Sequence, residues 1–249
     1  MKISLITINR NNAKGLQRTL LSVAQQLPYI GQENKLEHII VDGLSTDDSL
    51  SVLLPQLDSK IISLEPKGVY NALNAGIEVS TGEIIGMLHS GDTFAHSGVL
   101  AQVIKCFESK EIAPDYIWAD VRIGRRYFSG EGFTPKSITA GFAPPHPSLY
   151  ISRKTFQSIG LYDESFKIGG DIDYFIRLSQ KPELKGYYCP EKFIEMEGGG
   201  LSQRFVSRVW VNNRERLRAL RKNGISSNPF RLLCHYKQVA KGYLCSSKK

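Results

Sequence analysis

The chain has 249 residues, 41% of them hydrophobic, enough to bury one full domain core with a small appendage, and no apolar run approaches the ~20 residues of a membrane-spanning helix. The formal charge of +8 is concentrated at one end: from Arg204 onward there are 12 Lys or Arg and a single acid, Glu215, which leaves the remainder at −3. Cys106, Cys189, Cys234 and Cys245 are scattered, with no Cys-x-x-Cys pair, and the five histidines are dispersed, which argues against zinc and a disulfide framework and favours a reducing cytoplasm.

Residues 2–8, KISLITI, form a β-rich apolar run that ends in Asn-Arg-Asn-Asn rather than a small-residue cleavage site, so it reads as a first strand and not a signal peptide. Residues 12–26 have helical spacing (Leu16, Leu20, Val23), and HIIVD at 38–42 is a second short buried run. Ser45 or Thr46 is positioned to cap a helix through Leu54. KIISL at 60–64 reads as a third strand, residues 69–79 as a helix closed by Thr-Gly, and EIIGML at 83–88 as a fourth strand. Strand–helix repetition with continuous apolar strands predicts an α/β fold with a mostly parallel central sheet flanked by helices. Ligands gather at the C-terminal strand ends of such sheets, where Asn9, Asp42 and Asp92 all fall.

Beyond residue 95 the pattern changes. A helix near 97–108 leads to the strand DYIWADVRI, and 129–147 is Gly- and Pro-rich, as irregular backbone is. LYISRKTFQSIG predicts a strand and a short helix. GGDIDYFIRLSQ starts a helix with Asp171 and Asp173 in its first turn; being two apart they point in different directions, so one can face a cleft while the other caps or pairs. YYC and KFIEM read as short strands, and the last 45 residues as two basic helices, dividing the chain into a domain at 1–203 and a helical extension at 204–249.

Each candidate for chemistry has a structural alternative. Asp92 can place an anionic oxygen on Mg²⁺ or Mn²⁺, or merely close a turn. Asp42 can accept hydrogen bonds from a base or sugar edge, or cap a helix, for which Thr46 and Asp47 already suffice. A carboxylate opposite a bound electrophile can serve as a catalytic base, whereas acids in a first helical turn are common in any case. Gly198-Gly199-Gly200 before Leu201-Ser202 can offer backbone N–H groups to phosphate oxygens, or form a flexible turn. The Walker A, Gly-x-Ser-x-Gly and dinucleotide glycine patterns are absent.

The ordered set SLITINRN, IIVDGLSTDDS, EPKGVYNALNAGIEVSTGEIIGMLHSGD, HPSLYISRKTFQSIGLYDESFKIGGDIDYFIRL and GGGLS resembles the family 2 glycosyltransferases of GT-A fold, in particular bacterial enzymes of exopolysaccharide, colanic-acid-like or O-antigen assembly. The resemblance covers roughly residues 1–205. It implies inverting transfer from a nucleotide-diphosphate sugar, with a UDP-sugar the commonest donor. It places Thr7, Asn9, Arg10, Asp42, Lys67, Ser90 and Gly91 on the nucleotide, Asp92 on a divalent metal, Mn²⁺ or Mg²⁺, and Asp171 as the base. His146, Gly199, Gly200 and Ser202 are candidates for acceptor or phosphate contacts. Many relatives have two acids where this chain has Ser90-Gly91-Asp92, and an acid where it has Asn71; the Gln-x-x-Arg-Trp motif of processive synthases is missing, which favours addition of one sugar.

The basic tail implies an anionic partner. A lipid-linked saccharide acceptor and a peripheral place on the inner face of the cell membrane fit it; a nucleic-acid partner is not expected, since no recognition motif is present. The competing class is a non-catalytic nucleotide-sugar-binding or scaffold protein whose tail binds membrane or nucleic acid. A nucleotidyltransferase falls behind, lacking a Gly-rich signature near NRNNAKG.

Overall fold

The computed structural model describes residues 1–111, 113–134, 137–138, 142–197 and 206–226, the stretch 206–210 by its backbone alone. Strand β1 (Lys2–Asn9) lies between β2 (Lys35–Asp42) and β4 (Ile84–Met87), and β2 carries β3 (Lys60–Ser63) on its outer side, all parallel. Helix α1 (Ala13–Ala24) connects β1 to β2, and α2 (Val69–Val79) connects β3 to β4.

Between β2 and β3 the expected helix through Leu54 is two 3₁₀ turns, Asp48–Val52 and Pro55–Leu57, and the cap is Asp47, which accepts from Ser49 N at 3.0 Å. Neither expected cap is available. The Ser45 hydroxyl donates to Asp42 Oδ1 and accepts from Asn11 N, and the Thr46 hydroxyl donates to Asn11 Oδ1 at 3.4 Å. Pro55 then prevents the turn from propagating.

The second half comprises β5 (Thr93–Phe94), α3 (Val99–Glu108), β6 (Tyr116–Ile123), β7 (Arg126–Phe128), β8 (Tyr150–Ser152), α4 (Arg153–Ile159), α5 (Gly170–Ser179), β9 (Gly186–Met196) and α6 (Val206–Lys222). The sheet order is β3-β2-β1-β4-β8-β6-β9-β5, with β7 on β6. Here the pairing turns mixed: β8 is antiparallel to both β4 and β6, while β6 and β9 are parallel. YYC and KFIEM are therefore one strand. Its register slips where Ala119 faces Cys189 and Asp120 faces Lys192, so Pro190 and Glu191 bulge out; a proline has no N–H to offer the ladder.

Alternation along the parallel strands builds two apolar layers. Ile6, Ile39, Val41, Ile85 and Met87 face α2 and α5, against Leu73, Ile77, Phe175 and Ile176. Ile3, Leu5, Ile40 and Ile84 face the opposite way, onto Leu16, Leu20 and Val23 of α1 and Val99 to Ile104 of α3. Each fully buried side chain of this size contributes about 1.5–3 kcal/mol, which is why the short strands read as unbroken apolar runs.

Helix α6 docks on α5 through Ala219 and Leu220, both buried. Asp173, without exposure, accepts from Arg177 Nε at 2.9 Å, Lys222 Nζ at 3.2 Å and Asn223 Nδ2 at 2.9 Å. Lys222 also pairs with Asp163 at 2.8 Å, and the Arg218 guanidinium lies 4.5 Å from the Phe166 ring centroid. Part of the tail's positive charge is thus consumed inside the fold. Residues 227–249, where a second basic helix was expected, lie outside the described residues. Asp173→Ala, which strands Arg177, is expected to lower stability in urea titration by about 3 kcal/mol, whereas Lys222→Ala, whose ammonium is partly exposed, should cost no more than about 1 kcal/mol.

Candidate active site at the C-terminal edge of the parallel strands

Asn9 and Asp42 end adjacent strands as register partners, and Asn9 Nδ2 donates to Asp42 Oδ1 at 2.9 Å. Asp42 is buried and accepts three hydrogen bonds in all, the others from Ser45 N at 2.7 Å and Ser45 Oγ at 2.6 Å. Asn11, at φ +48°, turns the chain so that its own N–H donates to Ser45 Oγ at 2.9 Å and its Oδ1 accepts from Thr46 N at 2.7 Å. A short polar side chain tolerates that left-handed conformation. The Ala13 amide donates to Asp47 Oδ2 at 2.9 Å. The loops after β1 and β2 are therefore one hydrogen-bonded unit. Arg10 is exposed at its rim, its aliphatic stem beside Gly43.

The loop after β4 joins the same unit. Asn12 caps α1 through Gly15 N, and its Nδ2 donates to Ser90 O at 3.2 Å. Gly91, at φ +104°, makes the reversal that L side chains rarely adopt. Thr19, buried on α1, fixes the turn: its hydroxyl accepts from Gly91 N at 3.0 Å and donates to Asp92 O at 2.7 Å. Asp92 is 7% exposed, and its Oδ2 is buried without a hydrogen-bond partner among the described residues, as is Asn9 Oδ1. Burial, reinforced by the charge of Glu197 and opposed by a backbone hydrogen bond at His89, pushes the Asp92 carboxyl up to about 7. Glu197 follows β9 and is held by Arg18 Nη2 at 2.6 Å, one residue from Thr19.

Asp171 sits in the first turn of α5, partly exposed, and its Oδ1 accepts from Ile172 N at 2.8 Å. Burial raises its pKa above the ordinary carboxylate value; the Arg216 guanidinium opposes the shift and the Glu215 charge adds to it. Tyr70 of α2 receives the Gly170 and Asp171 amides on its hydroxyl at 2.8 and 3.2 Å and donates to Ile168 O at 2.5 Å. Gly170 has to be glycine, since a Cβ there would stand 2.7 Å from the Tyr70 ring. Lys67 is exposed just before α2 and makes no ion pair among the described residues.

The structure thus brings together Asn9, Arg10, Asp42, Ser90, Gly91 and Asp92, and places Lys67 and Asp171 beside the two ends of the Tyr70 contact. Thr7 and His146 are placed otherwise than expected. Thr7 is buried within the sheet, where its hydroxyl shares a 2.9 Å hydrogen bond with His38 Nε2; it precedes the strand end by two residues, so its side chain points sideways at β2 and not out of the edge. His146 is buried, with Nε2 on Tyr162 Oη at 2.8 Å and its ring stacked on His89, and burial lowers its pKa to about 4. It serves the core under the site. Gly199, Gly200 and Ser202 lie outside the described residues.

Thr19, Tyr70, Glu197 and Glu215 are the residues that sequence reasoning misses. Only Glu215 carries a signal, as the lone acid in a basic stretch; its carboxylate accepts from the amides of Lys167, Ile168 and Gly169 at 2.8–3.2 Å. Asn71, in place of an acid, donates to Glu164 Oε2 at 2.9 Å, and Asn74 donates to Glu164 Oε1. An acid at 71 would meet a like charge there. Among the described residues there is no cluster of three or more His, Cys, Asp or Glu able to hold a metal, so any cation here depends on Asp92, with Glu197 near it and a ligand completing the shell.

The protein is similar to an uncharacterized glycosyltransferase, MT1564, of Mycobacterium tuberculosis (strain CDC 1551 / Oshkosh), 32% identical over 182 residues, covering 70% of this chain and 68% of the relative. It is also similar to a PGL/p-HBAD biosynthesis glycosyltransferase of Mycobacterium bovis (strain BCG / Pasteur 1173P2), 28% identical, covering 84% and 82%. Among solved structures it superposes on S. aureus TarS 1-349 in complex with UDP-GlcNAc, at 17% identity and a TM-score of 0.68, covering 88% of this chain and 66% of TarS 1-349. It superposes also on the mannosyltransferase PcManGT of Pyrobaculum calidifontis in complex with GDP-Man and Mn²⁺, at 15% identity and a TM-score of 0.66, covering 95% and 68%. The fold is GT-A. The family model "Glycosyl transferase family 2" matches residues 4–167, and the chain belongs to that family.

Proposed function

We propose that the protein transfers a single sugar, with inversion, from a nucleotide-diphosphate donor to a lipid-linked or saccharide acceptor in surface-polysaccharide assembly. The observation that carries this reading is the pair of buried oxygens without partners, Asn9 Oδ1 and Asp92 Oδ2, beyond paired segments of the neighbouring strands β1 and β4. Buried polar atoms are nearly always satisfied, and one neutral and one anionic acceptor at this edge suit a nucleoside and a metal-bound diphosphate respectively. A donor N–H or O–H would satisfy Asn9 Oδ1, beside the Asp42 clamp. The exposed cations Arg10 and Lys67 stand where phosphate or base is in reach.

Asp92, with Glu197 beside it, would hold Mn²⁺ or Mg²⁺. Their chemistry fits: hard cations favour carboxylate oxygen and accept few protein ligands when phosphates complete the shell, and a carboxyl lifted to about 7 needs a positive charge to remain ionised at neutral pH. Bound there, such an ion supplies charge neutralisation for the departing diphosphate. Asp171 removes the proton from the acceptor hydroxyl as its oxygen attacks the anomeric carbon on the face opposite the leaving group, which gives inversion. Its raised pKa suits that task. The neighbours bound to UDP-GlcNAc and to GDP-Man support a nucleotide-sugar donor; uridine is the family's commonest base.

Residues 204–249 remain, on this reading, a basic helical extension to a transferase domain at 1–203, with the exposed Arg214 of α6 facing an anionic membrane. No described helix is long and apolar enough to cross a membrane, so association would be peripheral, each cation near the surface contributing about 1 kcal/mol.

Calorimetric titration with UDP, GDP and dTDP is expected to give Mn²⁺-dependent binding of one nucleotide, lost in Asp92→Ala; binding that ignores both metal and mutation overturns the assignment. Asp171→Asn should keep that nucleotide affinity and lose transfer. Vesicles containing anionic lipid should retain the protein at low salt and release it as ionic strength rises; retention independent of salt contradicts the peripheral placement.

A further inference from the structure

The acid at 215 has no place in the reading of the tail as a cationic surface. It is 8% exposed, on the inner side of α6, and its carboxylate accepts the amides of Lys167 at 3.0 Å and of Ile168 and Gly169 at 2.8 Å. Its stem is packed so closely that a Cβ on Gly169 would come within 2.9 Å of Glu215 Cβ. Tyr70 Oη takes the next two amides, Gly170 and Asp171. Five consecutive N–H groups at the entry to α5 are therefore received by side chains from two other elements, α6 and α2.

An acid in the first turn of a helix can itself reach back to the amide of the N-cap residue, here Gly169. Asp171 takes only Ile172 N, on Oδ1, and its own amide, and Oδ2 carries no hydrogen bond to another described residue. Amide hydrogen bonds stabilise the carboxylate form and weaken a base, as does the positive end of the helix dipole. A carboxylate lodged at that end counters the dipole. The groups facing Asp171 from the surrounding elements are Tyr70 of α2, Tyr162 before α5, and Glu215 and Arg216 of α6.

We propose that Glu215 is a positioning residue for Asp171: it receives the amides that lead into α5, relieves Asp171 of capping its own helix, and so keeps one carboxylate oxygen open toward the acceptor hydroxyl. The proposal rests on the reading of Asp171 as the base. It gives the C-terminal helix a share in the transfer step without contact with either substrate.

The deciding measurement is the carboxyl-carbon NMR titration of Asp171, assigned by the signal lost in Asp171→Asn, in the full chain and in Glu215→Gln. Removing the Glu215 charge is expected to move the Asp171 titration to lower pH. Donor turnover, followed as hydrolysis of UDP-GlcNAc or GDP-mannose, should fall about 100-fold, as a small misplacement of a catalytic group does, with nucleotide affinity unchanged. An Asp171 titration identical in wild type and Glu215→Gln overturns the proposal, even if the variant melts at a lower temperature, since a purely structural brace changes stability alone. Should Glu215→Gln not fold, Tyr70→Phe, which removes the other acceptor while leaving the α6 contact, is expected to shift Asp171 in the same direction, and an unshifted titration there is equally decisive. Turnover retained in Asp171→Asn would instead overturn the base assignment, a failure distinct from that of Glu215.

Discussion

The site depends on the register of three parallel strands. Asn9 and Asp42 are direct partners across β1 and β2, and β4 pairs with β1 on its other side. A slip of one residue would turn every side chain of a strand to the opposite face, sending Ile6 and Val41 into the wrong layer and separating Asn9 from Asp42. The apolar alternation that locks the register inside the sheet thus delivers the polar ends to one edge. The hydrogen bonds that join Asn9 to Asp42, Asn11 to Thr46 and Asn12 to Ser90 then bind three chain reversals into one surface. Rigid support beneath the loops lets two acceptor atoms stay buried without partners there.

A second constraint concerns backbone groups. A helix that opens toward a cleft exposes amides with no intrahelical partner, and α5 opens beside the residue read as the base. Its entry is satisfied by Tyr70 and Glu215, contributed from opposite ends of the chain. Helices α5 and α6 are joined again at Asp173, where Arg177, Lys222 and Asn223 surround a fully buried carboxylate. These contacts draw α6 onto α5. They also reassign part of the tail's charge, since Lys222 and Arg218 are engaged within the fold.

Asp92 and Asp171 show how one local context yields two chemistries. Both are carboxyls raised by burial, but one lies in a glycine turn with an empty acceptor beside a second acid, and the other heads a helix whose dipole is countered from outside. The first arrangement suits a cation, the second a proton. Asn71 fits the same logic: it neutralises no charge, and instead donates to Glu164, which bridges α2 to the segment leading into α5.

By itself the sequence determined the strands β1 to β4, the helices α1 and α2, the GT-A class through the order of its motifs, and the positions of Asn9 and Asp42 at strand ends and of Asp92 in the loop after β4, because those features follow from local periodicity and from where apolar runs stop. It could also point to Asp171 as a first-turn acid. Tertiary structure decided the rest. Thr7 and His146 are local matches to a motif, yet their side chains were claimed by His38 and Tyr162, partners distant in sequence. The helix expected after Ser45 was lost because the Ser45 and Thr46 hydroxyls that would have capped it are engaged with Asp42 and Asn11. Thr19, Tyr70, Glu197 and Glu215 have no pattern of their own; each acts on a residue at least 46 positions away, and a contact of that span is invisible until the sheet has closed. Hydrophobic periodicity is written locally, whereas the satisfaction of a buried polar group is settled by whichever neighbour the fold brings within reach.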